Sequence, residues 1–334
     1  MSSWIIRILL LALCLTLLAA AGLRWYASSP LDLRAERVQF SIKPGSSLKT
    51  ATRQIVDSGI ELSAWRFKLL VRLLDKAGAI QAGSYEVAGG VTPLALLDKL
   101  TSGDVIQAEV TFLEGWTFRQ LRAALKADPD LRHESADLSD GDIMARLGAA
   151  DRSPEGLFFP DTYRFGVGSS DMEVLKRAYA AMDRRLQAAW EQRAPDLPYR
   201  TPYEALIMAS VIEKETGQSN ERAQVAGVFV NRLRMGMLLQ TDPSVIYGMG
   251  EKFDGNLRTK DLRADTPHNT YTRAGLPPTP IAMPGLAALQ AALNPADTNA
   301  LYFVARGDGS SEFSRTLAEH ERAVSRYQRQ KKKR

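Results

Sequence analysis

Two glutamates at the end of one apolar segment carry the clearest chemical signal in the sequence. Thr201 suits a helix N-cap, Pro202 the first helical position, and Glu204 completes a capping box. Gly217 can take the left-handed conformation that ends a helix. Between these signals Ala205 to Ile212 is apolar nearly all round, which predicts a buried helix, yet the helix finishes with Glu213 and Glu215. At about 100° of rotation per residue, Glu215 falls on the stripe with Met208, Val211 and Ile212, whereas Glu213 points almost the opposite way. Burial and the negative end of the helix dipole both raise a carboxyl pKa, so Glu215 is expected to hold its proton and to serve as a general acid. The same residues also fit a plain polar helix end, with Glu213-Lys214-Glu215 solvated or paired with Arg222 or Arg232.

The elements that must position these carboxyls follow in the chain. Ser219 or Asn220 is expected to cap a helix with Val225, Val228, Phe229, Arg232 and Leu233 at helical spacing, stopped by Gly236. Asn231 and Arg232 sit in its middle, able to face the glutamates. In the loop Leu239-Gln240-Thr241-Asp242-Pro243, Asp242 is expected as the N-cap of the next helix, with a second carboxylate or a sugar-binding group as its other reading. His268-Asn269-Thr270-Tyr271-Thr272 and Gly275-Leu276-Pro277-Pro278-Thr279-Pro280 form a rigid loop suited to the wall of a cleft for a neutral polyhydroxylated ligand. Leu301 to Ala305 and Glu312 to Ser314 flank a turn and predict a hairpin, and an amphipathic helix runs from Leu317 to Tyr327.

On the N-terminal side Val38, Phe40 and Ile42 alternate as a strand, and Ser46 or Ser47 caps a helix marked by Leu48, Ala51 and Ile55 and closed by Gly59. A second helix starts near Ser63, with Trp65 in its first turn and Phe67, Leu70, Val71 and Leu74 on its apolar stripe. Gly83 to Val87 reads as a returning strand, and Thr92-Pro93 caps a short helix ending near Gly103. Ile42-Lys43-Pro44-Gly45-Ser46-Ser47-Leu48-Lys49-Thr50-Ala51 resembles the opening of LysM modules, which implies binding of N-acetylglucosamine-containing glycan. A connecting domain with the same capping pattern is the alternative. Val110 to Phe118 repeats the strand, Gly and Thr-cap order ahead of a helix with Leu121 and Leu125. Asp128 to Ser153 reads as a polar connection holding a short helix from Asp142 to Leu147. The aromatic, turn-rich stretch from Gly156 to Tyr163 reads as packing, with sugar-stacking platforms as the alternative, and a long helix is expected from Asp171 to Arg193.

Composition excludes several classes. The 334 residues are 45% hydrophobic and 24% charged, ordinary globular values, and leave room for two domains behind a leader. The net charge of +5 does not mark a nucleic-acid binder, because Arg326, Arg329, Lys331, Lys332, Lys333 and Arg334 concentrate positive charge in a tail and the remaining body is close to neutral. Ile8 to Leu23, relieved only by Thr16, approaches the roughly 20 residues of a membrane helix, with Arg24-Trp25-Tyr26 as a far-side anchor. A signal peptide cleaved near Ala19-Ala20-Ala21 is the rival, and the run through to Trp25 favours the uncleaved anchor. The sole cysteine, Cys14, lies inside that run, so no intrachain disulfide forms. His133, His268 and His320 are too scattered for a metal site, and no Walker motif, dinucleotide fingerprint or Gly-x-Ser-x-Gly elbow occurs, so neither metal nor cofactor is expected.

Ala209-Ser210-Val211-Ile212-Glu213-Lys214-Glu215-Thr216, Asn231-Arg232-Leu233, Leu239-Gln240-Thr241-Asp242-Pro243-Ser244-Val245-Ile246-Tyr247-Gly248, Asn269-Thr270-Tyr271 and Gly275-Leu276-Pro277-Pro278 closely resemble the YceG-like family of bacterial endolytic murein transglycosylases. The resemblance implies cleavage of the β-1,4 bond between N-acetylmuramic acid and N-acetylglucosamine within peptidoglycan strands, leaving a 1,6-anhydro end. It places the catalytic acid/base at Glu215, and it makes Asn231, Gln240, Thr241, Asp242, Asn269 and Tyr271 candidates for substrate binding, with Glu213 and Arg232 in support. Peptidoglycan strands, the membrane and wall synthases are the implied partners, at the inner membrane with the bulk of the chain in the periplasm. The expected fold is α+β: a short cytoplasmic end (1–7), a transmembrane anchor (8–26), a small LysM-like α+β module (36–108), a mixed α+β catalytic domain (109–328, core 201–328) and a basic tail (329–334). A hydrolase pairing Glu215 with Glu213 or Asp242, and a tethered wall-binding scaffold with a vestigial site, are the alternatives.

Overall fold

The computed structural model describes residues 3–329, so the end of the basic tail lies outside the described residues. The chain divides into two compact units: 1–109 with 130–132 and 164–169, and the remainder. The architecture is mixed α+β, and the named strands of the described residues form three two-stranded sheets.

The first unit begins with α1 (Ser3–Ser28). Among the described residues it is the one helix long and apolar enough to cross a membrane, with mean hydropathy 2.5 over its most apolar 18-residue window. It is longer than the 8–26 segment read from sequence, because Trp4-Ile5-Ile6 and the helix-compatible Arg7 extend it forward. Strand β1 (Arg37–Ile42) buries alternate residues and pairs antiparallel with β2 (Gly83–Ala88), Phe40 opposite Tyr85 and Val38 opposite Val87. Between the strands lie α2 (Leu48–Asp57), whose Ser47 hydroxyl accepts the Thr50 N–H, and α3 (Ala64–Leu73). Helix α4 (Pro93–Ser102) follows β2, capped by Thr92 and ended by left-handed Gly103. Ile55, Phe67, Val71, Tyr85, Leu96, Leu97 and Leu100 fill the core between these layers. Each such side chain contributes about 1.5–3 kcal/mol by leaving water. Leu74, expected on the buried stripe of α3, is exposed because the helix ends one residue before it.

Strands β3 (Gln107–Thr111) and β4 (Thr162–Gly166) pair with each other, and β4 was not legible within the aromatic stretch. In the second unit Thr117 and Gln120 form a full capping box on α5 (Phe118–Ala127). Helix α6 (Asp140–Arg146) starts two residues before the sequence expectation because Ser139 caps it. Helix α7 (Asp171–Glu191) is followed by α8 (Pro202–Glu215), α9 (Arg222–Arg234), α10 (Asp242–Met249), the one-turn α11 (Thr259–Arg263) and α12 (Leu286–Leu293). A hairpin of β5 (Tyr302–Ala305) and β6 (Ser311–Ser314) precedes α13 (Leu317–Val324).

Helix α8 is the centre of this unit. Every residue from Ala205 to Ile212 is buried, and α7, α9, α10 and α12 all pack on it. Helix α12, unanticipated from sequence, lies along α8 with Ala288, Leu289 and Ala292 fully buried. Helix α9 binds the segment after α12 at two points eight residues apart: the Ala223 carbonyl accepts the Ala296 N–H, and Asn231 Nδ2 donates to Thr298 O at 2.7 Å. Between them Gly227 leaves no room for a side chain, since a Cβ there would stand 2.7 Å from the Ala296 carbonyl oxygen.

Candidate active site

The N-terminus of α8 forms as its residues dictate, with the Thr201 hydroxyl accepting the Glu204 N–H at 3.2 Å. The Glu204 carboxylate reaches back one residue further than a capping box, to the Arg200 N–H. The C-terminus differs from expectation. Thr216 is extended and Gly217 is not left-handed, so the chain leaves α8 straight and turns later.

Glu215 is partly buried, and its Oε2 accepts a hydrogen bond from the Thr241 hydroxyl at 2.9 Å. Burial pushes its carboxyl up to about 7, the Asp242 charge adds to the rise, and the Thr241 bond and the Arg232 charge oppose it. A carboxyl with this value exchanges protons near neutrality, as an acid/base catalyst must. The Thr241 bond also fixes the rotation of the carboxyl and so aims Oε1.

Thr241 is itself held on all sides. Its N–H donates to Thr270 Oγ1 at 3.0 Å, its carbonyl accepts the Ser244 hydroxyl at 2.8 Å, and Ser244 and Thr270 share a bond at 2.9 Å. This network carries strain in its neighbour: Gln240 has φ +52, a left-handed conformation outside glycine's domain, stabilised where its N–H donates to Thr270 O at 3.1 Å. The Gln240 side chain is exposed. Asp242 is not the N-cap. It is the first residue of α10, and Thr241 in the cap position makes no cap bond because its hydroxyl goes to Glu215. The freed Asp242 carboxylate instead accepts the Tyr271 phenol at 2.5 Å. Burial first, then Asp242, raises the Tyr271 pKa, so this phenol stays protonated.

Arg232 is buried, and its N–H groups go to Leu301 O at 2.7 Å and Leu239 O at 2.8 Å, with the guanidinium 5.1 Å from the Tyr302 ring centre. It therefore ties α9 to the Gln240 loop and acts on Glu215 through its charge. Asn231 and Asn269 spend their side-chain amide donors inside the fold. Asn231 donates to Thr298 O and Ala300 O, and Asn269, 1% exposed, donates to Asp261 O, Leu262 O and Ala264 O while accepting the Tyr271 N–H. Their donors are spent on backbone carbonyls that no local pattern could name. Neither Ser219 nor Asn220 caps α9. Glu221 holds the cap position without a cap bond, because its carboxylate accepts the Ser311 N–H of the hairpin at 2.8 Å.

Glu213 faces away from Glu215, as the helix geometry requires, but not into solvent. Its side chain is 8% exposed, accepts the Gly285 N–H at the start of α12 at 3.0 Å, and lies 4.0 Å from Arg222. Burial is the main cause of its raised pKa. A carboxylate at a helix N-terminus is favourable, so Glu213 fastens α12 to α8 and does not pair with Glu215.

Sequence reading missed one carboxyl. Glu155 is buried, accepts the Phe118 N–H at 3.1 Å and the Tyr247 phenol at 3.2 Å, and burial pushes it up to about 7. Its signal was an acidic side chain immediately before the apolar Gly156-Leu157-Phe158-Phe159. It lines a cleft of about 880 Å³ with Phe118, Lys214, Pro243, Ile246 and Tyr247. Across the proline-rich loop, the Ile281 N–H donates to the Ser210 hydroxyl of α8 at 3.0 Å, and His268 Nε2 bonds Thr279 at 3.0 Å.

Comparison with known proteins gives a consistent answer. A model of the YceG-like family matches residues 40–326. An endolytic murein transglycosylase of Bacillus subtilis is 32% identical over 87% of this chain and 84% of its own length. One of Streptococcus pneumoniae is 25% identical over 94% of this chain, which spans 63% of that protein's length. A crystal structure of a YceG-like protein from Listeria monocytogenes superposes with a TM-score of 0.56 at 29% identity, covering 86% of this chain and 98% of that one. The chain belongs to the YceG-like family.

Proposed function

We propose that this protein is a lytic transglycosylase that cuts peptidoglycan strands internally at the β-1,4 bond between N-acetylmuramic acid and N-acetylglucosamine, with Glu215 as its acid and base. The single observation that carries the reading is a half-buried glutamate, poised near neutrality and oriented by Thr241, at the end of the central helix of a chain whose relatives bear that name. Protonated Glu215 gives its proton to the glycosidic oxygen as the C1–O bond breaks, releasing the N-acetylglucosamine 4-hydroxyl. The resulting carboxylate takes the proton of the muramyl C6 hydroxyl as O6 closes on C1. The proton is returned, no water is consumed, and a 1,6-anhydro ring is formed.

Gln240, Asp242 and Tyr271, on the exposed or partly exposed rim beside Glu215, are the side chains placed to contact sugar hydroxyl and N-acetyl groups. Helix α1 serves as an uncleaved anchor with the bulk of the chain outside the cytoplasmic membrane, where its substrate lies. The strand, turn and Ser47-capped helix of the first unit support its reading as a LysM-like glycan-binding module. Wall synthases, whose nascent strands are the same polymer, are its natural partners.

Mass analysis of purified glycan strands after digestion tests the reaction. Anhydro-ended products from wild type and their loss in Glu215→Gln are expected. Products heavier by one water would establish the hydrolase, for which Asp242 beside Glu215 is the remaining second carboxylate. Binding without cleavage by wild type would establish the scaffold.

A further inference from the structure

Helix α3 has two apolar faces. One carries Phe67, Leu70 and Val71 into the core of the first unit. The other carries Trp65, Leu69 and Leu73, four residues apart on one stripe, and these are 63%, 41% and 64% exposed. A contiguous exposed apolar stripe marks a surface made for a partner. Arg66, Lys68 and Arg72 interleave with it, so the partner is apolar in depth and anionic at its edge.

The position of the stripe identifies that partner. The last turns of α1 lie against α3: Tyr26 and Ala27 are buried, and the Tyr26 phenol donates to Ser63 O at 3.3 Å. The Arg66 guanidinium sits 5.7 Å from the Tyr26 ring centre and 5.3 Å from that of Trp65. Ala19, Ala20 and Leu23 of α1 and Leu69 and Leu73 of α3 line one shared groove of about 410 Å³. The stripe on α3 thus continues sideways the apolar surface of α1. Along a helix, Ala19 to Arg24 spans about 7.5 Å, comparable with the ~5–10 Å at which interfacial helices seat their apolar face.

We propose that α3 is a second membrane contact, lying in the interface of the leaflet from which α1 emerges. Trp65, Leu69 and Leu73 enter the acyl boundary, and Arg66, Lys68 and Arg72 meet lipid phosphates. The occupant of the groove is phospholipid. This rests on α1 being an uncleaved membrane span.

The test uses the full chain in vesicles of phosphatidylcholine and phosphatidylglycerol, with single environment-sensitive labels. Cys14, the sole cysteine, reports on the span. In a Cys14→Ala background, Leu69→Cys and Leu73→Cys report on the stripe, and both positions are exposed, so a label leaves the core intact. Blue-shifted emission, with quenching by spin-labelled lipid several-fold stronger than by aqueous iodide, is expected at all three positions. A lipid-quenched Cys14 label with water-exposed labels at both α3 positions would leave the anchor standing and overturn this proposal. Water exposure at all three would overturn the anchor and the proposal together.

Discussion

The burial that lets Glu215 hold a proton also makes its carboxylate costly, so Glu215→Gln is expected to remove activity and raise stability together. Burial moves this carboxyl from its ordinary 4.5 to about 7 against the opposing effects of Thr241 and Arg232. At about 1.36 kcal/mol per pH unit, that displacement corresponds to on the order of 3 kcal/mol. The folded pKa lies above the unfolded one, so the folded state binds more protons between them. The stabilising contribution of Glu215 is whole below about pH 4.5 and is lost as pH rises to about 7. Gln keeps an acceptor for the Thr241 hydroxyl and carries no charge. The variant should match wild type below about pH 4.5 and pull ahead through that window to a plateau near 3 kcal/mol. At roughly 2–4 °C per kcal/mol for a unit of this size, calorimetry of the detergent-solubilised chain should show a plateau of about 6–12 °C. Glu155 titrates in the same window, but it is present in both proteins and cancels in their difference. A difference independent of pH, or a variant less stable at neutrality, would refute the burial argument.

The rate of anhydro-product formation by wild type should fall above about pH 7 as Glu215 loses its proton, and Thr241→Val should move that limb upward, because the lost bond favours the carboxylate; an unmoved limb would detach Thr241 from the acid. Product yield at optimal pH from Glu215→Gln should drop by ~10²–10⁴-fold, the usual contribution of a positioned acid/base. Gly227→Ala should destabilise by about 1–3 kcal/mol through overpacking against the Ala296 carbonyl; unchanged thermal unfolding would show that the 296–300 segment yields. Glu155→Gln should gain stability over the same pH window as Glu215→Gln while retaining anhydro products, and loss of those products would bring Glu155 into the chemistry.

What was legible in the sequence was local. Ser47, Thr92, Thr117 and Thr201 cap helices because a hydroxyl reaches an N–H only three residues on, and β1 alternates because neighbouring side chains leave opposite faces. The stripe through Met208, Val211 and Glu215 separated the two glutamates by rotation alone. Destinations were not legible. Asn231 and Asn269 read as ligand groups because an amide advertises hydrogen bonding without naming a partner, and their donors go to carbonyls brought close by folding. Asp242 lost its cap role to the hydroxyl bond between Thr241 and Glu215, which joins residues 26 apart. Helix α12 and the burial of Glu155 and Glu213 depend on what covers them, which no short window contains. The sequence by itself determined that the two carboxyls leave opposite faces of α8. Tertiary structure alone decided which oxygen is held, by whom, and at what proton affinity, because burial and hydrogen bonding are properties of neighbours distant along the chain.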